Sequence, residues 1–158
     1  MVQQPRCQMS KIKDLLVVKG SDVWSIGPAQ SVYQAIEMMS LKGVGALTVM
    51  SDDGQLVGII SERDYARSVI LQGKSSKDTL ILEIMTSNVV CIEPTHAVDE
   101  AMALMTAKRI RHLPVIIDEK LCGMISMGDL VKSIIDEQSH VIDQLERYIK
   151  GETAGIGS

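Results

Sequence analysis

Leu56-Val57-Gly58-Ile59-Ile60-Ser61-Glu62-Arg63-Asp64 reads as an apolar strand that ends in a hydroxyl and, three residues on, a carboxylate. The phrase returns as Leu121-Cys122-Gly123-Met124-Ile125-Ser126-Met127-Gly128-Asp129, 65 positions later. Both copies obey one pattern: Gly, two apolar residues, Ser, two variable residues, Asp. A strand that runs straight into a helix sets the Ser at the junction and the Asp in the first turn. There the helix dipole and unpaired backbone N–H groups favour a carboxylate. For one copy, N-capping by Ser61 with a first-turn acid at Asp64 would be a sufficient account. Two copies in register within a longer repeat ask for more.

Working outward from the first copy, Leu47–Met50 reads as a strand and Asp52-Asp53-Gly54 as a hairpin turn, because Asp-Gly supplies the positive φ that short hairpins need. Upstream, Ser31-Val32-Tyr33-Gln34 is a capping box, and the apolar face Val32, Ala35, Ile36, Met39 continues as a helix that should stop at Gly43. Val23–Ile26 is a short extended piece leading to Pro28, and Ser10 caps a short leading helix over Lys11–Leu16. Downstream, Glu62–Gln72 is a helix closed by Gly73.

The second half repeats this order. Leu80–Met85 is its leading helix, and Val89-Val90-Cys91-Ile92-Glu93-Pro94 matches Val23-Trp24-Ser25-Ile26-Gly27-Pro28 at an offset of 66. Val98, Ala101 and Met105 match Val32, Ala35 and Met39; Leu113–Ile117 is the strand, Glu119-Lys120 a tightened turn and Leu121–Ile125 the return strand. The expected fold is α+β, two β-α-β-β-α repeats. Neither has enough sheet to bury both faces, so the two should pack sheet to sheet about a pseudo-twofold axis. The expected boundaries are a flexible N-terminus over 1–9, a first repeat over 10–73, a polar linker over 74–78 and a second repeat over 79–139. An extension of the last helix follows over 140–150, then a flexible tail over 151–158. Leu130, Ile134, Val141, Leu145 and Ile149 keep a helical spacing that outruns the domain before Gly151 ends it. A second subunit is the economical partner for such a stripe, with a fold back over residues 10–16 as the alternative.

The 158 residues suffice for one domain that buries roughly two-thirds of its unfolded surface. A net charge of −4 and no basic cluster with interleaved aromatics argue against a nucleic-acid polymer as partner. No apolar run approaches the roughly 18 residues of a membrane span, and the N-terminus has no secretory pattern, so a cytoplasmic location is expected. Cys7, Cys91 and Cys122 lack the spacing of zinc or redox sites, and the latter two read as small core residues. With no Phe, one Trp and ten Met, the core must be built from branched aliphatics and thioethers.

The duplicated motif, the Pro-then-helix opening of each half, and Arg111-His112-Leu113-Pro114-Val115 leading into a strand resemble a tandem pair of CBS domains, named after cystathionine β-synthase, over about residues 10–138. Ser61-Glu62-Arg63-Asp64-Tyr65-Ala66-Arg67 and Gly73-Lys74-Ser75-Ser76-Lys77-Asp78 further resemble a stand-alone subgroup with no attached enzyme or channel. The resemblance implies the paired arrangement called a Bateman module. It also implies a regulatory role and adenosine-containing ligands in the clefts between repeats: AMP first, with ADP, ATP, NAD or S-adenosylmethionine as alternatives. A homodimer and an unidentified regulated protein are implied as partners.

By the same resemblance, Ser61, Asp64, Ser126 and Asp129 would take ribose hydroxyls, for which a carboxylate is the fitting acceptor. One cleft would join Asp64 and Ser61 to Arg111 and His112 as phosphate ligands. The other would join Asp129 and Ser126 to Gly45 and Ala46, with Arg63 supplying the missing charge. The adenine walls are expected at Val23, Ser25 and Ile26 and at Val89, Cys91 and Ile92. His96 and His140 read as surface residues, and no metal site is expected. Against an enzyme stands the lack of phosphate-binding glycine loops, nucleophile elbows and zincin spacing; only Cys7 could serve as a nucleophile. A ligand-free dimeric scaffold is the competing reading, although a scaffold has no use for acids at both strand ends.

Overall fold

The computed structural model describes residues 10–157, with side chains described through residue 150. In chain order the elements are α1 (Ile12–Lys19), β1 (Ser25–Ile26), α2 (Val32–Lys42), β2 (Ala46–Met50), β3 (Leu56–Ser61) and α3 (Glu62–Tyr65), which runs on as a π-helical turn over Ala66–Ile70. Then come α4 (Ile81–Ile84), α5 (Val98–Lys108), β4 (His112–Ile117), β5 (Lys120–Ser126) and α6 (Met127–Gly157). One sheet has the order β1-β2-β3, parallel then antiparallel, and the other is the antiparallel pair β4-β5.

Local chemistry explains most of these boundaries. Ser31 Oγ accepts from Gln34 N–H, and Gln34 Oε1 accepts from Ser31 N–H at 2.9 Å, the reciprocal cap that opens α2. Gly43 closes α2 at φ 66°. The corresponding place after α5 is held by Arg109, also left-handed at φ 55°.

Three local expectations shift. The cap of α1 is Lys11 rather than Ser10: Lys11 N–H donates to Asp14 Oδ2 at 3.0 Å, while Ser10 C=O accepts from Val98 N–H. The β4–β5 turn is Asp118-Glu119 rather than Glu119-Lys120, because both residues take positive φ, 49° and 66°. The expected strand over Val89–Ile92 shrinks to a single parallel bridge between Ile92 and Val115. A tight turn, Val89 N–H to Ser87 C=O at 3.0 Å, holds the preceding residues off the sheet edge.

The leading helices are exchanged. Ile12 N–H donates to His96 C=O, Lys13 N–H to Pro94 C=O, and Val98 N–H to Ser10 C=O, tying α1 to the second half. Ile81 donates to Gln30, Leu82 to Pro28, and Val32 to Thr79, tying α4 to the first half in the same pattern. The cores follow suit. Ile12 and Leu15 are buried with Ile92, Val98, Met105, Leu113, Ile125 and Leu130, whereas Ile81 and Ile84 are buried with Ile26, Val32, Met39, Leu47 and Ile60.

This exchange accounts for the glycine of the repeated motif. A Cβ on Gly58 would lie 2.6 Å from Met85 Sδ and 3.1 Å from Thr86 O, and one on Gly123 would lie 2.8 Å from Leu16 Cδ2. Each strand is approached closely by a leading helix or the residue after it: at Gly58 the Thr86 carbonyl leaves room only for glycine, and at Gly123 the Leu16 side chain would have to give.

The α6 stripe divides in two. Leu130 and Ile134 pack on the second core, and the first turns of α6 lie along α1 of the same chain. Val131, Ile135, Ile142 and Leu145 face outward, between 42% and 57% exposed. The helix does not stop at Gly151 but continues to Gly157. Glycine lowers helix propensity by about 1 kcal/mol relative to alanine without forbidding a helix.

Candidate ligand cleft

Ser61 ends β3, and its backbone and side chain both engage Asp64. Asp64 Oδ2 accepts from Ser61 N–H at 2.9 Å and from Ser61 Oγ at 3.0 Å, while Ser61 Oγ accepts from Asp64 N–H at 3.2 Å. Ser126 and Asp129 repeat this cap, Ser126 N–H to Asp129 Oδ2 at 2.8 Å and Asp129 N–H to Ser126 Oγ at 3.1 Å. The cap fixes each carboxylate at the mouth of a strand and leaves acceptor capacity on it.

Around Asp64 lies a cleft of about 310 Å³. One side is the β3–α3 junction, with Ser61, Glu62, Arg63, Asp64 and Arg67; the other is the approach to β4, with Arg109, Ile110, Arg111 and His112. Thr86, Asn88, Val89 and Val90 form the floor. The arrangement follows from the backbone: Glu62 N–H donates to Gly45 C=O and Met127 N–H to Arg111 C=O, so each motif helix starts against the segment preceding its own half's middle strand. A Cβ on Gly45 would lie 3.6 Å from the His112 ring, which places those two segments side by side.

Four arginines and two acids therefore line this cleft, a positive balance suited to a phosphorylated ligand. Arg63 and Gly45, expected in the second cleft, belong to this one. Arg63 Nη1 reaches Arg109 C=O at 3.5 Å. His112 is also here, but burial first, and then the Lys19 and Arg111 charges, hold its pKa below the ordinary value against the pull of Asp129 and Asp64. It is a neutral ring at pH 7, offering one N–H donor and one acceptor rather than a charge.

Arg67 and Arg109 were not singled out from the sequence. Arg67 follows Arg63 by four residues and so shares its helical face, a signal that was present. Arg109 stands where the first half has Gly43, and its contribution depends on a left-handed backbone that sequence does not announce. Thr86 and Asn88 reach the floor only because α4 is exchanged.

The second acid is differently placed. Lys19 Nζ lies 2.6 Å from Asp129 Oδ2 and also donates to Met124 C=O. Burial disfavours the Asp129 carboxylate, yet the hydrogen bonds from Lys19 and the Ser126 N–H outweigh it, and the pKa falls below the ordinary carboxylate value.

The expected adenine walls are split. Val89 lines the cleft. Ile26 and Ile92 are core residues, each 4% exposed, because the inward face of a short strand must be apolar. Ser25 is occupied with the Thr48 hydroxyl at 2.5 Å, and Val23 is half-buried outside the cleft lining. Cys91 faces a separate groove with Glu93, His96 and Asp118. Burial raises the thiol pKa of both Cys91 and Cys122, which makes them poor nucleophiles. Cys7 lies outside the described residues. His96 is half-buried beside Glu100, and His140 is exposed beside Gln144. Among the described residues no group of three or more His, Cys, Asp or Glu side chains could hold a metal ion, and no helix is long and apolar enough to cross a membrane.

Two repeats with exchanged helices and an arginine-lined cleft between a capped acid and the partner repeat define a paired-repeat module. The chain belongs to the CBS domain family, whose pattern matches residues 12–70 and 81–136. It is 43% identical over 136 residues to the mitochondrial CBS domain-containing protein CBSX3 of Arabidopsis thaliana, covering 84% of this chain and 66% of that protein. Among solved structures it is 47% identical to a CBS-domain protein from Burkholderia ambifaria MC40-6 named for signal transduction, with TM-score 0.78, covering 82% of this chain and 96% of that one. The CBS domain pair of protein MJ0100, solved in complex with 5-methylthioadenosine and S-adenosyl-L-methionine, is 25% identical with TM-score 0.73, covering 82% and 98%.

Proposed function

We propose that this chain is a regulatory module that binds a phosphorylated adenosine ligand in the cleft at Asp64. The observation that carries the reading is the convergence of Ser61 and Asp64 with Arg63, Arg67, Arg109 and Arg111 on one cavity of about 310 Å³. A ribose presents two vicinal hydroxyl donors, and Asp64 is the acceptor beside which they would sit. Each charge-assisted hydrogen bond of this kind contributes about 1.5–3 kcal/mol. The guanidinium groups would take the phosphate through charge-assisted hydrogen bonds. The backbone and side chains of Thr86, Asn88, Val89 and Val90 would read the base.

The charge of the lining orders the candidates. AMP, ADP, ATP and NAD all bring negative charge to four guanidinium groups. S-adenosylmethionine brings a sulfonium cation and should bind more weakly. That protein MJ0100 holds two adenosine compounds supports the class of ligand, not its identity here. The cavity ligand would act by altering the contact between repeats, and through it a partner protein or a second copy of the chain. No catalytic role is assigned: the acids are engaged in helix caps and the thiols are poorly ionised. The cytoplasm is the expected compartment, which fractionation of the source cells checks directly.

Isothermal titration of AMP, ADP, ATP, NAD and S-adenosylmethionine tests the reading. At least one phosphorylated ligand should bind, and Asp64→Ala should weaken it by about 10-fold or more, the loss of one charge-assisted bond. No binding by any of the five, or binding indifferent to Asp64→Ala, removes the proposal.

A further inference from the structure

The pseudo-twofold equates Ile59 of β3 with Met124 of β5, since both precede the motif serine by two. Their outer edges are covered differently. Ile59 exchanges two backbone hydrogen bonds with Thr86, Ile59 N–H to Thr86 C=O at 3.0 Å and Thr86 N–H to Ile59 C=O at 2.9 Å. At Met124 the C=O accepts instead from the ammonium of Lys19, which also grips Asp129 Oδ2 at 2.6 Å. The cause is helix length. α4 ends at Ile84, so the chain can run alongside β3, whereas α1 continues to Lys19 before Gly20 ends it at φ 97°. The extra turn carries a lysine onto the second motif.

The two acids are thus unequal. Among the described residues Asp64 is in no ion pair, and its bonds are those of its own helix cap. Asp129 Oδ2 is shared between its cap and a cation. A ribose hydroxyl that takes Asp129 Oδ2 as its acceptor must displace Lys19. It would then leave an ammonium without its two acceptors and a carbonyl without its donor, which is unfavourable for partly buried groups.

We infer that Lys19 is an internal plug on the second motif, holding Asp129 and the Met124 carbonyl in place of a ligand, so that the chain holds one adenosine ligand rather than two. The inference rests on the proposed function of the Asp64 cleft for its choice of probe, but the two can fail separately. Lys19 thereby decides how many sites are open and where.

Isothermal titration with AMP and with ATP, on the full chain and on Lys19→Met, reads the stoichiometry. The methionine keeps the unbranched apolar stem and removes the charge; Lys19→Gln is the second variant should Lys19→Met lose its cooperative thermal transition. One ligand per chain for wild type and two for the variant is the expected result. The added site should survive Asp64→Ala and be lost on Asp129→Asn. No ligand for wild type and one for the variant supports the plug while overturning the Asp64 reading. Two ligands for wild type overturn the plug, as does a variant whose count is unchanged at one or at zero.

Discussion

The Oδ2 atom of Asp64 accepts two bonds from Ser61, so a change there acts on the fold as well as on the ligand. Asp64→Ala should lower stability by about 1 kcal/mol, the usual cost of a lost cap, besides weakening the ligand. Asp64→Asn separates the effects, since its carbonyl oxygen can still accept from Ser61 while the charge is gone; thermal melts and titration of the two variants read each part. His112 makes a pH prediction. Its folded-state pKa lies below the ordinary value of 6.5, chiefly through burial, so the unfolded chain takes up the proton more readily. Stability from this residue is complete above about pH 6.5 and declines as pH falls through that value toward the folded pKa. Urea melts between about pH 5 and 7.5 should show this decline, and His112→Gln should flatten it. At this scale the sequence was legible where one residue type does one job: both capped acids, the arginine before β4, and the glycine that ends α2. It was opaque where the neighbour comes from far along the chain. Nothing local tells that Lys19 meets Asp129, 110 positions away.

Elements show the same division. The duplicated order of strands and helices could be read from periodicity and turn residues, because those are local. The exchange of α1 and α4 could not, because each leading helix precedes its own repeat in sequence and its apolar pattern fits either core. The exchange also hides part of the cleft from a local reading: Thr86 and Asn88 belong in sequence to one half and in space to the other. Ile26, at the inward position of a two-residue strand, and Ile92, at a single bridge, are both core residues. The motif glycines give a test at this scale. Gly58→Ala sets a Cβ against the Thr86 carbonyl, backbone that cannot swing away, whereas Gly123→Ala meets only the tip of Leu16. Both should destabilise, Gly58→Ala by about 1–3 kcal/mol and Gly123→Ala toward the lower end. Calorimetry reads that difference, and only Gly58→Ala should also weaken the ligand, because Thr86 is moved.

For the whole molecule, the outward residues of α6 set the expected assembly. Val131, Ile135, Ile142 and Leu145 fall at alternating intervals characteristic of a coiled-coil seam, with Gln138 completing the series. A second copy of the same helix is the natural complement to such a seam, and it fits the homodimer expected from the sequence. Replacing Ile142 and Leu145 together by Asp should convert a dimer into a monomer in light scattering, with the ligand cleft and its affinity preserved. A monomeric wild type would refute this assignment of α6.

The traded helices have a practical corollary for anyone who cuts the polypeptide. Cleavage within residues 74–78 yields two pieces, each holding a helix that belongs in the other's interior, so neither piece should fold in isolation. Mixed, they should reassemble as a split protein does, and any ligand that bridges the two pieces should tighten their reunion.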